Sequence, residues 1–136
     1  VVALRMAPVF GTMADLVRST LRRRPDRIIV GEVRGAEALD MLKAWNTGHP
    51  GGIATLHANS ARGALLRLEQ LIQEAVIHVP RPLIAEAIDI IVFICGANAY
   101  TGAPRRLADI AELHGLQAGR DYPLQPFLTG GERHRP

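Results

Sequence analysis

Apolar positions along this chain alternate between two spacings. Short apolar-rich runs, bounded by charge, proline or glycine, fall at residues 1–6, 28–31, 53–56 and 90–94. All four read as strands; the run at 28–31, bounded by charge and followed by a helical pattern, predicts one buried on both faces, and 90–94 reads as another buried strand. Between the runs, apolar residues recur at i, i+3 and i+4. Residues 12–23 read as a helix with Thr12 as N-cap, Asp15 three residues on, and Leu16, Val17 and Leu21 on one side. Residues 36–46 place Ala38, Leu39, Leu42 and Trp45 on one stripe, and Gly48 is set to end that helix. Ser60 can cap a long helix whose Leu65, Leu66, Leu68, Leu71 and Ile72 form a broad apolar face. Pro80 and Pro82 break it, and residues 83–87 give a further short helix. After a glycine-containing turn, residues 105–113 alternate weakly and read as an edge strand. Strands alternating with helices of this length predict an α/β fold with a mostly parallel sheet, right-handed crossovers and flanking helices. From Gly115 onward, glycine and proline recur without a periodic segment, so residues 115–136 are expected to be a disordered or loosely packed tail.

At 136 residues the chain has about the length of one domain, and 48% apolar residues allow a real core. Aromatics make up only 4%, so that core must be aliphatic. A net charge of +3 is too small to indicate nucleic-acid binding by itself. The arginines at 105–106 and 133–135 read as solvated surface. The single cysteine, Cys95, cannot form a disulfide within the chain, which fits a reducing compartment, and reads as a small core residue. No run approaches the roughly 18 apolar residues of a membrane span, so the expectation is a soluble chain, peripheral to a membrane at most. The chain opens on Val1 inside an apolar run, as a portion of a longer protein would.

The residues with chemical potential gather where runs end. The stretch RRRPDRIIVGEVRG, residues 22–35, carries a strand that terminates on Gly31 and Glu32. A carboxylate there sits in the crevice outside the strands' carboxyl ends, where open α/β sheets place ligands. Gly31 would let backbone pass closely, Arg34 can hold a carboxylate or phosphate, and Gly35 frees the turn before the next helix. In phosphoryl-transfer enzymes an acid in this position holds Mg²⁺ through water or polarises the attacking water, and Glu32 suits either role. Glu37, in the first helical turn, reads as a partner of the helix dipole. His57 ends the next run, with Thr55, Asn59 and Ser60 around it, just before a helix N-terminus that can face an anion. It reads either as a phosphate-sensing imidazole or as a structural histidine; His49 reads as a turn residue. The spacing of His78, His114 and His134 gives no metal cage.

These strings resemble a known family. LRRRPDRIIVGEVRGAEA at residues 21–38 resembles the Walker B region of the secretion ATPases that power type II and type IV secretion, conjugation and type IV pili. NTGHPGG at 46–52, with TLHANS at 55–60, is similar to their His box. AWNTGH at 44–49 and ATLHAN at 54–59 resemble the conjugal-transfer branch, the TrbB type. The resemblance spans roughly residues 1–113. It implies the C-terminal part of a RecA-like P-loop ATPase domain over residues 1–114. It also implies ATP and Mg²⁺ as ligands, a homo-hexameric ring, and work in the cytoplasm at the inner face of the bacterial inner membrane, among the secretion or conjugation machinery. Glu32 becomes the Walker B acid and water-mediated Mg²⁺ ligand, His57 the His-box residue near the γ-phosphate, and Arg34 a further catalytic candidate. Arg18 and Arg22 fall near the charged box that faces the nucleotide or a neighbouring subunit. One departure is plain: no GxxxxGK[ST] occurs in these residues, so the phosphate cradle must come from upstream and the chain alone is not expected to turn over ATP. The alternatives are a pilus or type II secretion ATPase and a non-catalytic ring-docking module. Sequence-specific nucleic-acid binding is not expected.

Overall fold

The computed structural model describes residues 11–97, 102–119 and 121–127. The strand expected at residues 1–6 and the end of the expected tail, 128–136, lie outside the described residues. The helices follow their local signals. Helix α1 (Met13–Leu21) opens on a reciprocal cap: Thr12 Oγ1 accepts from the Asp15 amide at 3.3 Å, and Asp15 Oδ2 accepts from the Thr12 amide at 2.9 Å. Strand β1 (Ile29–Val30) leads to helix α2 (Glu37–Asn46), which ends at Gly48 in the left-handed region, φ 107°. Strand β2 (Ile53–Ala54) leads to helix α3 (Ala61–Gln73), where Ser60 Oγ accepts from the Gly63 amide at 2.9 Å. Helix α4 (Arg81–Ala87) starts at the two prolines. Strands β3 (Ile90–Cys95), β4 (Arg106–Leu113) and β5 (Leu124–Pro126) complete the described chain.

Helix α2 lies at the centre and packs against α1, α3 and α4. Met41, Leu42, Leu65, Leu68, Leu71, Ile72 and Ile84 are the fully buried side chains around that junction. The core is mainly aliphatic, with Tyr122 its one buried aromatic among the described residues and Trp45 packed against it. Leu66 does not belong to it: it is exposed, so the buried stripe of α3 is narrower than its leucines suggest.

The sheets depart further from expectation. The architecture is mixed α/β, but only β1 and β2 pair in parallel, Ile29 with Ile53 and Val30 with Ala54. The larger sheet, in the order β3-β4-β5, is antiparallel. A parallel pair needs a crossover of a dozen or more residues, and the link between β3 and β4 is too short to supply one. Strand β4, expected at an edge, is the central strand. Its partner β5, together with buried Tyr122, lies in the segment expected to be loose, and the Phe127 amide donates to the Ile110 carbonyl at 2.8 Å. The apolar runs are not buried on both faces either. Val30 is buried while Ile29 and Ile53 are exposed, and Ile90, Val92 and Ile94 form an exposed row on β3. Cys95 is half-buried at the end of that strand.

The loop between α2 and β2 is shaped by Trp45. Its indole Nε1 donates to the Ile28 carbonyl at 3.2 Å, tying α2 to the entry of β1. Gly52 lies directly against the ring: a Cβ there would stand 2.0 Å from Nε1 and 2.3 Å from Cε2. His49 lies in the same loop, and its Nδ1 is 2.6 Å from the Pro25 carbonyl, a tie to the segment before β1.

Candidate active site

Because β1 and β2 are parallel neighbours, their C-terminal ends deliver Glu32 and His57 to the same edge. Beyond the last ladder pair the two chains stay joined. The Val33 amide donates to the Thr55 carbonyl at 2.8 Å, and Thr55 Oγ1 donates to the Gly31 carbonyl at 2.5 Å. Glu32 therefore sits between two backbone groups pinned to the β2 exit. A Cβ added at Gly31 would meet nothing within 4 Å among the described residues, so none of them makes the close backbone passage expected there.

The Glu32 carboxylate has a cation or N–H donor on each oxygen. Arg34 Nη2 donates to Oε2 at 2.5 Å, and His57 Nε2 lies 3.0 Å from Oε1. The hydrogen-bonded Arg34 guanidinium holds the Glu32 carboxyl below the usual glutamate range, its charge and the His57 ring adding to the effect while partial desolvation opposes it. Exposure separates the three. The Glu32 side chain is 26% exposed, whereas Arg34 is 77% and His57 91% exposed. The carboxylate is fixed, and its two partners are solvated side chains that can turn away.

Around this centre, the sequence expectations divide. Thr55, Asn59 and Ser60 surround His57 in sequence, but the two hydroxyls of that group do not hold its ring. They are engaged elsewhere, with Gly31 and Gly63, and the ring's partner is Glu32. Glu37 acts at the helix start as expected, its Oε1 accepting from the Arg34 and Gly35 amides at 2.7 and 3.1 Å. Arg18 is paired with Asp40 on α2 at 3.0 Å and Asp15 at 3.5 Å. Arg22 is exposed at the C-cap of α1. Neither contacts the Glu32–His57 pair. His57 also lines a shallow groove of about 460 Å³ along α3, with Asn59, Gly63, Leu66, Arg67 and Gln70. No group of three or more His, Cys, Asp or Glu gathers at one point among the described residues.

Sequence reasoning missed a second polar cluster. Glu69 is nearly buried on α3, and its carboxylate takes Arg81 Nε and Nη2 at 2.8 and 3.0 Å and the Tyr122 hydroxyl at 2.7 Å. A signal was available: an acid four residues after Leu65 and three before Ile72 lies on the apolar face of the helix and needs a cation there.

With this geometry in view, comparison with known proteins is informative. The sequence profile of the type II/IV secretion system protein family matches residues 7–99. The conjugal transfer protein TrbB of Rhizobium radiobacter is 52% identical over 105 residues, covering 77% of this chain and 31% of that protein. The probable conjugal transfer protein TrbB of Sinorhizobium fredii is 52% identical over 121 residues, covering 89% of this chain and 36% of its own length. The chain thus spans about a third of the length of these relatives. Among solved structures, the VirB11 ATPase of the Brucella suis type IV secretion system, crystallised with sulphate, superposes with a TM-score of 0.68 at 30% identity, over 75% of this chain and 32% of that one. The ATPase DotB of Legionella pneumophila superposes with a TM-score of 0.55 at 31% identity, over 74% of this chain and 26% of that one. On the extent of the profile match, this chain belongs to the type II/IV secretion system protein family.

Proposed function

We propose that the full-length protein hydrolyses ATP to drive a conjugal-transfer or type IV secretion machine, and that these residues form the C-terminal part of its RecA-like core. One observation carries the reading: Glu32 and His57 meet, 3.0 Å apart, at the C-terminal ends of adjacent parallel strands, the position where α/β sheets receive their ligands. The conjugal-transfer relatives favour that branch over type II secretion. In this proposal six copies form a ring at the cytoplasmic face of the inner membrane, and the phosphate-gripping loop and its lysine come from the part of the protein outside these residues.

The geometry supports the chemistry proposed for the chain's own groups. Glu32 accepts the proton of the water that attacks the γ-phosphorus, as the bond from phosphorus to the bridging oxygen breaks and ADP leaves. Magnesium prefers oxygen donors and keeps several waters. A single half-shielded carboxylate fits it as a water-mediated contact shared with the nucleotide; when bound, the ion neutralises phosphate charge. His57 and Arg34 are the switchable donors. An incoming γ-phosphate competes with Glu32 for both, and each is exposed enough to turn toward it. As they leave, the carboxylate loses the partners that depress its pKa and becomes a better base. Arg22, solvated at the end of α1, is the side chain proposed to meet a nucleotide held across a subunit boundary; Arg18 would first have to leave Asp40.

The test is Glu32→Gln in the full-length protein. The amide still accepts a hydrogen bond from water but takes up no proton, so nucleotide binding by calorimetry should persist while turnover falls by about 10² or more. Hydrolysis at the parental rate would make Glu32 a structural residue and end the proposal.

A further inference from the structure

Helix α3 starts four residues after His57, and two side chains beyond β4 are fastened to it. Asp121 Oδ1 accepts from Arg62 Nη1 at 2.9 Å in the first turn of the helix, and Arg62 Nη2 lies 3.4 Å from the Tyr122 carbonyl oxygen. Nearly two turns further on, the Tyr122 hydroxyl donates to Glu69 Oε1 at 2.7 Å, on a carboxylate that Arg81 of α4 also holds. Residues 62 and 69 are seven apart and share one helix face, about 10 Å from each other along the axis. Two attachments at that separation fix a rod both in rotation and in sliding, which one attachment cannot do. From Leu124 the same segment continues into β5, which is hydrogen-bonded to β4. The staple thereby references α3 to the antiparallel sheet.

The other end of the connection is equally constrained. Thr55 is pinned to Gly31 and Val33 through its hydroxyl and carbonyl. Between that anchor and the Ser60 cap only a few residues remain, and His57 is among them. A chain of that length spans at most about 3.5 Å per residue, so a shift of α3 passes into the His57 loop with little slack. We infer that Asp121 and Tyr122 are positioning residues for the candidate active site: by stapling α3 at Arg62 and Glu69, they set where His57 stands against Glu32. The inference rests on the hydrolytic role proposed for that pair. Displacements near 1 Å at a reacting centre lower rates by up to about 10², so even a small release of the staple should be visible. The exposed Arg62–Asp121 pair itself contributes little to folding, which makes it the clean handle.

The experiment uses the full-length protein with Asp121→Asn, Tyr122→Phe and the exchanged pair Arg62→Asp/Asp121→Arg. Hydrogen–deuterium exchange across residues 57–64 should accelerate severalfold in the two single variants, and kcat for ATP should fall about 3- to 10-fold with KM unchanged. The exchanged pair should recover at least half of the loss. Unchanged exchange over residues 57–64 would overturn the inference. Acceleration spread evenly over the whole domain, with a matching fall in melting temperature, would overturn it too, since that is plain destabilisation. So would unchanged kcat in a protein whose turnover Glu32→Gln abolishes. If Glu32→Gln leaves turnover intact, the hydrolytic reading fails on its own. The exchange pattern still reports whether the staple holds the loop.

Discussion

Gly52→Ala isolates one close contact whose consequence can be worked out. Gly52 has an ordinary backbone conformation, unlike Gly48 and Gly51, whose φ values of 107° and 73° are left-handed. The added methyl therefore brings no backbone strain, only collision. Its carbon would stand 2.0 Å from Trp45 Nε1 and 2.3 Å from Cε2, well inside contact distance, and the rigid indole cannot fold away as a flexible side chain would. The ring must be displaced from the core residues it packs against and from the Ile28 carbonyl it donates to at 3.2 Å. Overpacking of this kind costs about 1–3 kcal/mol, and the lost hydrogen bond adds about 0.5–1.5 kcal/mol, so the sum is roughly 2–4 kcal/mol. For a domain of this size, thermal melting of the full-length protein should shift down by roughly 5 to 15 °C. The control is the same substitution in a Trp45→Leu background, where the collision is gone and the change should fall to about 0.5 kcal/mol or less. An unaltered melting temperature for Gly52→Ala, or the same loss in both backgrounds, would refute the reasoning.

Two further outcomes follow from the polar clusters. His57→Ala should lower hydrolysis by about 10², as loss of a donor aimed at developing charge does, while the melting temperature stays nearly constant because a 91% exposed ring supports no core; a large drop in melting temperature with normal activity per folded molecule would make His57 structural. Glu69→Gln should destabilise at pH 7 by about 1–3 kcal/mol, less than the 3–5 kcal/mol of a fully buried pair, because Arg81 is 39% exposed. Arg81 holds the Glu69 carboxyl below its usual value of 4.5, so the stabilisation is present above that pH and is lost as the pH falls through the lower folded value. Melting curves of parent and variant should therefore converge below about pH 4.5, and a gap unchanged down to pH 3 would count against the ion pair.

Local signals read well from the sequence because their physics is local. Thr12 with Asp15, Ser60 before α3 and Gly48 after α2 each satisfy backbone groups within a few residues, and each stands where expected. Glu32 and His57 were legible as the residues that end successive apolar runs; that they touch required the parallel pairing of β1 with β2. Non-local placement was the weak point. Nothing in residues 105–113 says which strands will flank them, and the apolar row of β3 suggested burial that the described chain does not provide. Glycine and proline after residue 115 concealed an anchor, since Tyr122 finds its partner 53 residues earlier in the sequence.

The pair of hydrogen bonds that ties Thr55 to Gly31 and Val33 has a consequence for the tempo of the site. The backbone that carries Glu32 and the backbone leading to His57 are already locked in place, so the exchange of partners proposed on phosphate arrival is left to side-chain rotation. Exposed rotamers interconvert in picoseconds to nanoseconds, whereas loop rearrangement takes nanoseconds to microseconds or longer. Against phosphoryl transfer at about 1–100 per second, the reshuffling around Glu32 is effectively instantaneous. The clock of such a machine would then be set by slower events, among them the movement of whole helices such as α3.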